Sequence, residues 1–393
     1  MASGGIVTNT AAIELLEMIR RELTDIHRGK HFAQWRPEAV QRLDGLATLP
    51  PFRAYAATRI FTGDGGGLVA STRFGDWAVD RLVAGETPED ILAAFDHELA
   101  RNSATYLDVS PIFGVDIDAI CELAEGIRII PASEVSPWWK PHPIHHWMAF
   151  SNLPTGTCYL TQSYRVEPAF EVQSDDGPGG QSSETSPVAT ERERVRQQVR
   201  LACLLAGIGD VELPISMSVP DRESLFVGGD GNIASRPIAA YPVVAFPTAA
   251  TAVKRAFDQL VTFLEIESLT RAIDRLGRAR LARSAVDQAL ELGIAAEIAL
   301  MHGDPSGNTE ITHKIGSRAA WLLGQNAEER ATIVGEIKAL YHARSKAVHE
   351  GTLPKKSKVD LSEADRLVTQ ILNAIATRGR FPNWSNLTMG GQG

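Results

Sequence analysis

From residue 251 onward, apolar residues recur every three or four positions, which is the spacing of amphipathic helices. Cap residues and glycines separate the apolar runs, so the pattern predicts a series of helices. These cover residues 251–266, 268–281, 284–302, 310–324, 327–350 and 362–378, the last with Ser362 as its cap and Asp365 three positions on. Because most connections are short, we expect an antiparallel helical bundle over residues 251–385.

Residues 1–250 show a mixed pattern, which we interpret as one α+β module. Its predicted helices lie at 10–24, from Thr87 to about Asn102, at 116–124 and at 190–207, and its predicted strands at 53–72, 127–130, 211–219 and 224–227. Residues 173–190 hold almost no apolar side chain, so we expect a flexible surface loop or linker there.

The predicted helix 327–350 carries an arginine on its apolar side. Asn326 is a good cap, and Glu329 is placed to return the hydrogen bond. Arg344 lies four positions after Leu340, on the apolar stripe, where an arginine is costly unless it is paired or belongs to a site. His349 lies about 140° further round an ideal helix. We therefore expect the site to form where the helix ends or between two copies of the chain.

Another predicted helix carries a carboxylate on its apolar face. Glu297 shares the apolar face of helix 284–302, so we predict that it pairs with Arg344 in the bundle core. Two interpretations of that pair stay open. It could be a salt bridge that only fixes helix register, or Glu297 could orient the guanidinium towards a phosphate.

The arrangement Arg-x4-His inside LYHARSKAVHEG resembles the signature of HEPN domains, in particular the Apea-like group. Residues 272–300 and 310–324 are similar to the helices that precede the motif in that family, and the resemblance spans about 255–380. Glu350 stands directly after the histidine, where the family would have glycine.

The resemblance implies metal-independent cleavage of RNA by Arg344 and His349, with no metal or other cofactor. Histidine suits proton transfer near neutral pH, and arginine suits a developing phosphorane charge. The same helix offers candidates for secondary contacts, each with a plainer interpretation. Ser345 and Lys346 could contact phosphate or be solvated, and Tyr341 could stack on a base or belong to the core.

The family also implies a homodimer through the motif helix and a role as an effector of anti-phage defence or as a toxin. The N-terminal module would then sense a phage or nucleotide trigger. A second hypothesis is a non-catalytic HEPN module that binds nucleotide or RNA, or that acts as an assembly scaffold. Because both Arg344 and His349 are present, we favour the enzyme.

Charge and cysteine content set the remaining expectations. The net charge is −9, with 39 Lys and Arg against 48 Asp and Glu. Residues 251–393 hold 19 against 16, or +3, which leaves −12 on residues 1–250 and permits RNA binding by the helical part. The three cysteines form no metal pattern, and no apolar stretch would span a membrane. We expect a cytoplasmic protein that does not use a membrane.

Overall fold

The computed structural model describes residues 9–26, 32–48, 52–56, 58–61, 66–68, 72–134, 158–172, 187–220, 224–225, 233–235, 244–304, 310–354 and 359–391. The chain forms two compact units. The first unit contains Met1–Val109, Gln162–Glu193 and Ser216–Ala234, and the second contains Ser110–Thr161, Arg194–Ile215 and Ser235–Gly393. In the described part of the chain, no helix is long and apolar enough to cross a membrane.

The described helices are α1 (Asn9–Ile26), α2 (Phe32–Asp44), α3 (Phe52–Ala56), α4 (Thr72–Val83), α5 (Pro88–Arg101), α6 (Pro187–Ala206), α7 (Ala250–Val261), α8 (Ile266–Leu281), α9 (Ala285–Met301), α10 (Ile311–Leu323), α11 (Ala327–Glu350), α12 (Leu361–Thr377) and α13 (Trp384–Thr388). The strands are β1 (Thr58–Phe61), β2 (Gly66–Leu68), β3 (Ala104–Ile112), β4 (Val115–Ile117), β5 (Cys121–Ala124), β6 (Ile127–Ile130), β7 (Cys158–Val166), β8 (Phe170–Val172), β9 (Ile215–Pro220), β10 (Ile233–Ser235) and β11 (Phe246–Thr248).

Strands and helices mix in the N-terminal region, as the sequence predicts, and the C-terminal region is mostly helical. The strand order is β2-β1-β8 in a three-stranded sheet, β10-β9-β3-β7-β6-β5 in a six-stranded sheet and β11-β4 in a parallel pair. In the first unit, β3 runs antiparallel to β9, with Asp108 opposite Ser218. The first unit has its own apolar core, which includes Leu16, Ile60, Phe95 and Tyr106.

Two local predictions in the N-terminal region have opposite outcomes. The predicted helix start at Thr87 is confirmed, because its hydroxyl accepts a hydrogen bond from the Asp90 amide and Pro88 opens α5. The predicted helix at 116–124 is wrong, and β4 and β5 occupy this stretch. Buried and exposed residues alternate along both strands, and Gly114 and Gly126 adopt positive φ at the adjoining turns.

The bundle helices follow the predicted series with two corrections. The first predicted helix ends at Val261, not at residue 266, and a turn separates it from α8. Ser362 is not the cap of α12, because the Asp360 carboxylate accepts hydrogen bonds from the Ser362 and Glu363 amides. The Asn326 cap of α11 is confirmed, since its side-chain oxygen accepts from the Glu329 amide at 2.9 Å.

The division between units does not fall at residue 250. The C-terminal half of α6 packs within the second unit, where Leu204 is buried in the same core as Leu276 and Leu372. Arg280 Nη1 donates to the Leu204 carbonyl at 2.7 Å. Helices α8 and α12 thus use residues before 250 to cover their apolar faces, which sequence patterns within 251–385 do not reveal.

The predicted loop 173–190 is described only in part. Residues 187–190 form the first turn of α6, so this end of the stretch is helical. Residues 173–186 lie outside the described residues.

Candidate functional site

The candidate site is built on α11, which is one continuous helix through both motif residues. The helix runs to Glu350 and ends at Gly351, whose φ of 63° is left-handed. Arg344 and His349 therefore project about 140° apart, with a separation of about 7.5 Å along the axis. The helix ends directly after His349, at the position that the sequence predicts, and it is unbroken between the two motif residues. One copy of the chain does not present them side by side.

The predicted contact between Arg344 and Glu297 is present. Arg344 Nη2 lies 3.2 Å from Glu297 Oε2, and the two side chains are 24% and 27% exposed. The pair is therefore half-buried at the bundle surface, not enclosed in the core as predicted. Glu297 Oε2 and Arg344 Nε make no hydrogen bond within the described residues. The contact is thus an electrostatic one that leaves part of the guanidinium uncommitted.

Gly293 allows Arg344 to reach Glu297. A Cβ placed at Gly293 would lie 2.5 Å from Arg344 Cγ and 2.6 Å from Arg344 Cβ. The stem of the arginine therefore passes directly over the backbone of α9, one turn before Glu297. The sequence prediction missed this residue, and its one sequence signal is a glycine inside a helical apolar pattern.

Tyr341 completes the cluster on α11. The Arg344 guanidinium carbon lies 5.4 Å from the centre of its ring. Burial raises the pKa of the Tyr341 phenol, the Glu297 carboxylate adds to that rise, and Arg344 opposes it. Tyr341 is therefore a neutral phenol at physiological pH. The Tyr341 side chain is half-buried. It is therefore neither a fully enclosed core residue nor a fully exposed ring for stacking on a base, which were the two predicted possibilities.

The remaining motif residues lie apart from this cluster. His349 is exposed on the last turn of α11, and Ser345 is half-buried. Lys346 Nζ lies 3.2 Å from Glu350 Oε2, one helical turn away. Glu350, the residue that follows His349, therefore pairs with Lys346. Within one copy, the structure brings together Arg344, Glu297 and Tyr341 but not His349.

The arginines of α8 and of the turn that follows it do not form one continuous basic surface. The Arg280 side chain is only 4% exposed and pairs with Asp365 at 2.9 Å. Arg275 pairs with Glu291 at 3.0 Å, while Arg278 and Arg283 are exposed. Arg280 is thus a structural link between α8, α12 and α6.

Comparison with known proteins adds no identification. No protein-family model matches the chain, and neither a curated protein nor a solved structure matches it. The resemblance to HEPN domains therefore depends on the sequence segments quoted above.

Proposed function

We propose that the chain is a metal-independent endoribonuclease of the HEPN type, with Arg344 and His349 as its catalytic residues. One observation carries the proposal most directly. Glu297 and Gly293 position a half-buried Arg344 on the same helix as an exposed His349. A guanidinium held in one position is suited to binding a phosphate, and the exposed imidazole of His349 is accessible to substrate.

The proposed reaction uses the nucleophile that RNA itself carries. The 2′-oxygen attacks the adjacent phosphorus and gives up its proton, while the 5′-oxygen leaves with its bonding electrons and takes up a proton. His349 performs proton transfer, and the Arg344 guanidinium stabilises the charge on the phosphorane. The products are a 2′,3′-cyclic phosphate and a 5′-hydroxyl.

The proposed site requires two copies of the chain. Since α11 is continuous through His349, the arginine of one copy and the histidine of another would serve one phosphate. In this proposal the enzyme is an effector of anti-phage defence or a toxin. The N-terminal region would respond to a phage or nucleotide trigger.

A non-catalytic role in assembly is the second candidate. Val348, next to His349, is 50% exposed on the last turns of α11. An exposed apolar side chain there favours contact with another protein surface. In that case α11 would mediate assembly or RNA binding without cleavage.

The test is incubation of the full-length protein with total RNA in EDTA. Arg344→Ala and His349→Ala should each lower cleavage by about 100-fold or more. His342→Ala is the matched control, because His342 is an exposed histidine on the same helix, about two turns before His349. Products with 5′-phosphate ends would contradict the mechanism. RNA binding or dimerisation by a wild-type protein that cleaves no RNA would support the second candidate.

A further inference from the structure

A cavity of about 950 Å³ lies in the second unit, away from the Arg344 cluster. It is bordered by the turn after α9, by α10 and by the segment that follows α12. The lining residues are Glu265, His302, Gly303, Asp304, Lys314, Arg318 and residues 380–386. Arg344, Glu297 and Tyr341 do not line it, so it is separate from the proposed catalytic site.

One wall of the cavity is a fixed group of charges. Asp304 and Arg318 have side chains only 4% and 12% exposed, and Arg318 Nη2 lies 2.5 Å from Asp304 Oδ2. Lys314 Nζ lies 3.5 Å from the same carboxylate oxygen. Arg318 Nη1 also donates to the Leu300 carbonyl at 2.7 Å, which anchors the guanidinium to the end of α9. These charges are therefore held in place before any ligand arrives.

The cavity has an excess of positive charge in a protein whose net charge is −9. Lys314, Arg318 and Arg380 line it against Glu265 and Asp304, which gives +1 when His302, whose Nε2 lies 3.3 Å from Glu265 Oε2, is left out of the count. Arg380 is exposed, and its side chain has no hydrogen bond or ion pair within the described residues. A ligand with negative charge fits this balance.

The aromatic residues give the cavity a rigid second wall. The His302 and Phe381 rings stack with centroids 3.9 Å apart, and Phe263 meets Phe381 edge-on at 5.4 Å. Trp384 also lines the cavity, and its buried indole N–H has no acceptor among the described residues. The volume far exceeds the roughly 30 Å³ share of one water molecule, so there is space for more than an inorganic ion.

We propose that this cavity binds a small organic oxyanion, either a phosphate ester or a carboxylate. Arg380 and Lys314 contact the charged group, and the wall of His302 and Phe381 contacts the body of the molecule. Arg318 acts through Asp304 to position Lys314. This inference does not depend on ribonuclease activity.

The experiment is calorimetric titration of the full-length protein with phenyl phosphate, benzoate and benzyl alcohol. The two anions share the charged group with the predicted ligand, and benzyl alcohol offers the ring without the charge. We expect at least one anion to bind and benzyl alcohol to bind far more weakly. Binding of phenyl phosphate alone assigns a phosphate ester, and binding of benzoate alone assigns a carboxylate.

Substitution identifies the cavity as the place of binding. Arg380→Gln and Lys314→Gln should each weaken anion binding by about tenfold or more. Arg255→Gln removes one exposed positive charge from α7 outside the cavity and should leave the affinity unchanged. The proposal is overturned if neither anion binds, if benzyl alcohol binds as tightly, or if the soluble, folded Arg380→Gln variant binds like the wild type. Because Arg380 is exposed, its replacement keeps the test valid even if Lys314→Gln fails to fold.

Discussion

Arg344 crosses α9 at Gly293, where the arginine stem occupies the space that a side chain would otherwise fill. A Cβ at this position would come within 2.5 Å of Arg344 Cγ. Glycine inside a helix costs about 1 kcal/mol relative to alanine. The close approach of the Arg344 stem to the α9 backbone therefore comes with a less stable α9. The position of the guanidinium beside Glu297 therefore depends on a residue that contributes no side chain.

Replacing Gly293 by alanine should displace Arg344 and separate α9 from α11. Overpacking of this kind costs about 1–3 kcal/mol, which outweighs the gain in helix propensity. We expect a lower midpoint of thermal unfolding, and lower RNA cleavage if the proposed function is right. Gly335→Ala is the matched control, because a Cβ at Gly335 on α11 would meet nothing within 4 Å. That control should be neutral or stabilising, and an equally stable Gly293→Ala variant would contradict the close approach.

Removal of Glu297 should destabilise the protein moderately. A fully buried pair that loses one partner costs about 3–5 kcal/mol, whereas an exposed pair contributes about 0–1 kcal/mol. With side chains 24% and 27% exposed, Arg344 and Glu297 lie between these limits, so we expect about 1–2 kcal/mol for Glu297→Ala. Glu297→Gln keeps the shape and should cost less. Denaturant unfolding measures both, and an Ala variant as stable as the wild type would show that the ion pair does not contribute.

Features carried by local pattern could be predicted from the sequence, and features created by distant segments could not. The bundle helices, the Asn326 cap and the partnership of Arg344 with Glu297 follow from periodicity and from the cost of a charge on an apolar face. The role of Arg280 does not, because its partners Leu204 and Asp365 are far away in the chain. Gly293 was missed because a glycine in a helical pattern does not show which distant side chain fills the space above it.

Asp44 at the end of α2 should make the stability of the protein depend on pH. Burial raises its pKa to about 6, a hydrogen bond from the Gly75 amide opposes that rise, and the Asp76 carboxylate adds to it. The folded state thus holds this proton more tightly than the unfolded state, so stability falls as the pH rises from about 4 to about 6.

Asp44→Asn should therefore stabilise the protein at pH 7 by about 1 kcal/mol, a figure reduced because the side chain is only half-buried. The gain should be much smaller near pH 4, where Asp44 is protonated in the folded state and about half protonated in the unfolded state. Asp96→Asn is the control, since Asp96 is exposed on α5. Thermal unfolding at the two pH values gives the comparison. A gain at pH 4 equal to that at pH 7 would refute the titration of Asp44.

Two inactive variants should restore activity when they are mixed. In a dimer of Arg344→Ala with His349→Ala, one shared site lacks both catalytic residues, and the other keeps the arginine of one copy and the histidine of its partner. If subunits mix at random, about half of the dimers are mixed and each has one complete site, so cleavage should return to about a quarter of the wild-type rate. The measurement is RNA cleavage after co-expression, with each variant expressed alone as the control. A site formed within one copy gives no recovery, because neither copy then holds both residues. The second control is co-expression of Arg344→Ala with a variant that carries both substitutions. Recovery with His349→Ala as the partner, and none with the double variant as the partner, would show that the arginine and the histidine act across the interface.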